Sequence, residues 1–136
     1  MTGEAMGDKR LLRWSGVLLG LVIVHDLDHV RQGRAVGQEL FGVGVVALVS
    51  ALAMLVLAAR RHPLAPAAAV TVGFGNLIGL ALVHIVPDWG PFSDPYPAAH
   101  VDAGSWSQLA VMMGVGLMLG MAGVAALRRP ASVRAG

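Results

Sequence analysis

The chain reads as an all-α, polytopic integral membrane protein of four helices. Three observations predict this. Hydrophobic residues fill 56% of the 136 positions and charged residues only 13%, about half the charge share of an ordinary soluble domain. The apolar excess falls in four runs, Leu11–Leu27, Phe41–Ala59, Leu64–Val86 and Trp106–Leu127, each near the ~20 residues that a helix needs to cross hydrocarbon. The basic residues sit in short clusters beside these runs, the pattern of membrane topology rather than of a nucleic-acid surface. No partner nucleic acid is expected, despite a pI near 9.9.

Span 1 is expected over about residues 10–30. Lys9, Arg10 and Arg13 precede it, and Trp14 marks its start. No A-x-A-like site follows this run and its far end carries His and Asp, so it is read as a span rather than a signal peptide. Span 2, about 39–60, is headed by Glu39, whose charge suits a first helical turn. Arg60 and Arg61 follow it. Span 3, about 65–87, ends at Pro87, which bends or stops a helix. A Pro-rich loop over 88–104 holds Pro91, Pro95 and Pro97. Span 4, about 105–127, starts after Asp102, a capping residue type. All four spans form one domain.

Orientation follows from charge. Lys9, Arg10, Arg13, Arg60, Arg61, Arg128, Arg129 and Arg134 fall on one side, against Arg31 and Arg34 on the other. The positive-inside rule puts both termini in the cytoplasm of a cell (plasma) membrane protein. Trp89 and Trp106 then fall at the outer interface. Four of the five His and every Asp except Asp8 collect on the extracytoplasmic side. Retention of basic residues inside accounts for the Asp but not for the His.

The first and third spans resemble each other. Residues 16–25 align with 75–84 without a gap, identical at six of ten positions, each ending in a histidine. A weaker echo joins Gly42-Val43-Gly44 to Gly114-Val115-Gly116. Together they predict a tandem repeat of a helical hairpin, spans 1–2 and 3–4, related by an axis along the membrane normal. Gly16/Gly20, Gly75/Gly79 and Gly116/Gly120 are small-xxx-small pairs that allow close helix contact. Such Gly-rich faces are candidates for packing a second copy or a larger membrane partner.

Chemistry concentrates at His25-Asp26-Leu27-Asp28-His29. On a helix His25 and His29 share a face one turn apart. The repeat places His84 opposite His25 and pairs His29 with Asp88. The expected ligand set is therefore His25, His29, His84 and Asp88, inward side chains on facing helices. Neutral imidazole plus carboxylate suits Zn, Fe or Cu, without choosing among them. Asp26, Asp28, Glu39, His100 and Asp102 are candidate outer partners or extra ligands, with His100 brought in if the loop folds back as a lid. Met112 and Met113 are thioethers in an apolar helix and are read as packing; Asn76 is read as an interhelical hydrogen bond.

The chain has no cysteine, which excludes disulfides, thiolate metal sites and Cys-ligated iron–sulfur clusters. It also lacks G-x-S-x-G, HExxH, P-loop and GxGxxG signatures. Three readings stay open. The first is a membrane protein with an outward His/Asp metal site, with or without metal-dependent catalysis on a lipid-like or membrane-proximal substrate. The second is a b-type haem electron carrier with His25 and His84 as axial ligands. The third is a non-catalytic accessory or assembly subunit of a larger membrane complex. No polar path crosses spans 2 or 4, which disfavours a transporter.

Overall fold

The computed structural model describes residues 3–33 and 37–128. Arg34, Arg129 and Arg134, used in the charge count above, lie outside the described residues. The helices are α1 (Gly3–Arg31), α2 (Gln38–Ala59), α3 (Ala65–Leu80), a short α4 (Tyr96–Ala99) and α5 (Ala103–Leu127). A π-helical turn, Ala81–Ile85, continues α3. There is no strand among the described residues.

Three helices are long and apolar enough to cross a membrane: Gln38–Ala59, Ala65–Ile85 and Ala103–Leu127. α1 is the longest, at 29 residues, yet it differs from them in charge. Its stretch free of ionisable side chains, Trp14–Val24, covers about 16 Å at 1.5 Å per residue, roughly half the ~30 Å of a hydrocarbon core.

Packing runs around a ring, α1 to α2 to α3 to α5 and back to α1. On α1 the buried side chains are Leu11, Ser15, Leu18, Val22, His25 and His29. Their spacing of three or four residues makes one seam. The two histidines therefore occupy the last two core positions of α1. The Ser15 hydroxyl, buried in the same seam, donates to the Leu11 carbonyl at 2.8 Å.

The tightest crossing joins α3 to α5 through glycine. A Cβ at Gly73 would meet the Gly120 amide nitrogen and lie 2.6 Å from the Gly116 carbonyl oxygen. One at Gly123 would lie 2.7 Å from the Pro66 carbonyl oxygen. Gly116 and Gly120 thus take the close-contact role expected of them, but their partner is Gly73. A Cβ at Gly75, Gly79 or Gly20 would meet nothing within 4 Å.

At the histidine end, α1 is clasped to the start of α5. Asp28 accepts hydrogen bonds from Ser105 Oγ (2.6 Å), Gln32 Nε2 (2.6 Å) and Arg31 Nε (2.7 Å). Arg31 also donates to Asp102 Oδ2 at 2.8 Å, and Asp102 caps α5 by accepting from the Ser105 amide at 2.9 Å. The Ser105 N–H, then the Arg31 guanidinium, hold the Asp102 carboxyl below the usual carboxylate range. A depressed folded-state pKa adds stability that is fully present above the unfolded value, about 3.9. That stability is lost as pH falls through the lower folded value. Asp102→Asn is therefore expected to melt below the parent at neutral pH, with the gap closing under acid. Thermal unfolding of both proteins across pH 2–7 (roughly the carboxylate range) checks this; a gap that is constant with pH would contradict it.

Candidate metal centre

His25 and His29 project from the α1 seam and His84 from the π turn, and all three are buried. Their Nε2 atoms converge. His25 Nε2 lies 3.2 Å from His84 Nε2 and 3.3 Å from His29 Nε2. One donor atom from each residue falls within 4.8 Å of the others.

Local chemistry explains how His84 gets there. Pro87 disfavours α conformation at the preceding residue, and Val86 is extended, with ψ 140°. The last turn widens, so the Val86 amide bonds back to the Ala81 carbonyl at 3.0 Å. Turns of this kind recur at functional sites. Here Val83 and His84 are both buried, although neighbours on a regular helix diverge by 100°.

The loop after α3 folds over the cluster. The Asp94 amide donates to the Val83 carbonyl at 2.8 Å, and Trp89 Nε1 donates to the Leu82 carbonyl at 2.7 Å, satisfying groups that the helix end leaves over. The Asp94 carbonyl lies 3.1 Å from His84 Nδ1. A carbonyl only accepts, so Nδ1 carries the proton and neutral His84 presents a bare Nε2 to the cluster. The Asp94 carboxylate lies 3.7 Å from His29 Nδ1. Tyr96 is buried against His84, ring centroids 4.4 Å apart, and meets Trp106 edge-on.

Protons cannot satisfy this trio of neutral rings. His84 Nε2 accepts, so His25 Nε2–H can donate to it. A protonated His25 Nε2 then has no lone pair left to accept from His29. One of the two contacts stays unsatisfied, and His25 Nδ1 is buried with no hydrogen-bond partner among the described residues. A shared cation would relieve the conflict, because His25, His29 and His84 could each offer it a ring-nitrogen lone pair.

Of the remaining sequence candidates, only Asp26 lines the same cavity as the trio. Asp88 follows Pro87 out of the helix, is exposed, and accepts from Ser93 Oγ (2.7 Å) and the Gly90 amide (3.0 Å). Those bonds, the Ser93 hydroxyl first, hold its carboxyl below the usual range. Asp28 and Asp102 serve the clasp. Asp26 is half-buried facing α2, with its Oδ1 3.6 Å from where a Gly44 Cβ would sit. Glu39 is exposed. His100 is exposed with φ 51°, so the loop brings Asp94 and Tyr96 to the cluster in its place. Nothing in the spacing marks Asp94: it reaches His84 through a loop return, not through helical periodicity.

A cavity of about 650 Å³ opens onto the histidines between α1, α2 and α3, walled by Leu18, Val22, Leu48, Ala51, Val72 and Leu80. Fold and site together define an all-helical protein with three helices able to span a membrane and a buried three-histidine cluster able to hold a metal ion. Compared with protein-family models, with curated proteins and with solved structures, the chain matches none.

Proposed function

We propose that this chain is a single-domain, four-span membrane protein that binds one divalent transition-metal ion, Zn, Fe or Cu, through His25, His29 and His84. We further propose that the ion serves a reaction on a lipid-like or membrane-proximal substrate. The observation that carries the reading is the convergence of three buried Nε2 atoms. Bonds of about 2.0–2.1 Å in a tetrahedral site set ligand nitrogens about 3.3–3.4 Å apart, and the His25 contacts measure 3.2 and 3.3 Å. Three protein ligands with one position left over is the pattern of catalytic rather than structural zinc sites. An ion held there would supply Lewis acidity, while the Asp94 carbonyl orients the His84 imidazole and its carboxylate stands beside His29.

The ring of helices supports four spans, because α1 packs between α2 and α5 as a full member. It also supports the hairpin repeat, since His25 and His84, the matched positions, meet Nε2 to Nε2 at 3.2 Å. The charge bias of the sequence supports cytoplasmic termini and an extracytoplasmic site.

The test is elemental mass spectrometry and a visible spectrum of the detergent-purified protein, beside His84→Ala. A near-stoichiometric transition metal in the parent and its loss in the variant is the expected result. A Soret band would instead bring back the haem reading, which requires His25 and His84 to part and admit a macrocycle. A colourless protein that takes up neither Zn²⁺ nor Cu²⁺ would leave the accessory-subunit reading.

A further inference from the structure

We infer that the cavity between α1, α2 and α3 binds a single-tailed amphiphile, with its polar end at the histidine cluster and its alkyl tail running along α1 toward Leu18. The polar-end assignment rests on the metal reading above; the tail site stands on the shape of the bundle.

Two features of the helices make the space. The buried residues of α2 are Ala51, Met54 and Ala58, all in its second half, and none from Gln38 to Ser50 is buried. α2 thus packs at the end away from the histidines and leaves the core near them. Across the gap α3 presents Gly75 and Gly79, where a Cβ would meet nothing within 4 Å. Small residues that bring no helix closer leave room instead.

The wall is polar at one end. His25, His29, His84 and Asp26 gather there, while Leu18, Ala51 and Val72 lie farther in. Beyond the cluster the polar lining side chains are Ser50, Thr71 and Asn76; Thr71 donates to the Ala67 carbonyl and Asn76 to the Met112 carbonyl. From His29 to Leu18 the cavity runs about 16 Å along α1 at 1.5 Å per residue. Its volume of about 650 Å³ lies within the ~300–1,000 Å³ of small-ligand sites, which pair apolar walls with a few convergent polar groups. In lipid, burying a tail gains little from the hydrophobic effect. The tail fills space that would otherwise lack packing partners, and the polar end supplies the selectivity. The thinly packed gap between α2 and α3 is the lateral way in from the bilayer.

The experiment uses the full chain in nanodiscs with dodecanol carrying a tail diazirine. Photolysis is followed by peptide mass spectrometry, with metal content measured on the same samples. Labelling of Leu48 and Val72 peptides, displaced by excess plain dodecanol and reduced at least tenfold by Gly79→Leu, is the expected result. Ala47→Phe fills the same space from α2 and serves if Gly79→Leu does not fold. Labelling that neither competitor nor variants change is bulk-lipid contact and overturns the inference. So does a Val46→Cys protein that forms disulfide dimers while the label is lost, since a second copy then covers the cavity. A metal-loaded protein without displaceable label sinks the tail site alone. Displaceable label on a metal-free protein keeps the tail site and sinks the metal reading.

Discussion

His25→Ala protein is expected to purify without stoichiometric metal, while its helix content and detergent solubility match the parent. His25 is the hub of the cluster: its Nε2 lies within 3.3 Å of both other donors. Removing it leaves two imidazoles on different helices, fewer than the three or four protein ligands of zinc sites. Losing an outer partner of a ligand already costs about 10–100-fold in metal affinity. Loss of the hub should exceed the upper figure, about 2.8 kcal/mol at 1.4 kcal/mol per decade. Elemental analysis and titration with Zn²⁺ measure the loss. His100→Ala, on an exposed residue of the loop, is the control and should keep its metal. The parent should also release its ion as pH falls, because protons compete for the same three nitrogens. Full metal retention in His25→Ala would overturn the three-histidine site.

Gly73→Ala should have the largest effect on stability, and in the direction opposite to helix propensity. Exchanging glycine for alanine inside a helix gains about 1 kcal/mol. At Gly73, however, the new methyl would strike the Gly120 amide nitrogen and sit 2.6 Å from the Gly116 carbonyl oxygen. Both obstacles are backbone, which cannot rotate aside as a side chain can. α3 and α5 must separate, and the buried contacts of Ala69 and Leu119 loosen with them. Overpacking typically costs about 1–3 kcal/mol, so the net effect is destabilising, and Gly73→Leu should be worse. Gly114→Ala tests the contrary sign on the same crossing helix: its Cβ would meet nothing within 4 Å, so it should be neutral or stabilising. Unfolding of the three proteins in one detergent, ranked by midpoint, decides it. A Gly73→Ala midpoint at or above the Gly114→Ala midpoint would show that the helices do not cross at Gly73.

Much of this was legible in the residues, for reasons that are local. Helical spacing alone puts His25 and His29 on one face, and the match of 16–25 to 75–84 puts His84 level with them. Asp88 shows where such reasoning ends. The repeat pairs it with His29 only if the helix continues, yet Pro87 stops the helix and turns the carboxylate toward Ser93 and Gly90. Gly75 and Gly79 show the same limit. A small-xxx-small pair states that a helix can be approached closely, not which neighbour approaches.

The sequence by itself determined which segments are helical and apolar, that charge is confined to their ends, and that a histidine ends each of the two matching segments, 16–25 and 75–84. Each of these follows from covalent spacing along one chain. Tertiary structure alone decided that His25 Nε2 meets both His29 Nε2 and His84 Nε2 within hydrogen-bond distance, and that Asp94 and Tyr96 rather than Asp88 and His100 close over them. It also decided that α3 meets α5 through Gly73, and that α2 stands off to leave a cavity beside the histidines. Those outcomes depend on distances between residues as far apart as His25 and His84. Such distances are set by how whole helix faces pack and by where a proline ends one of them.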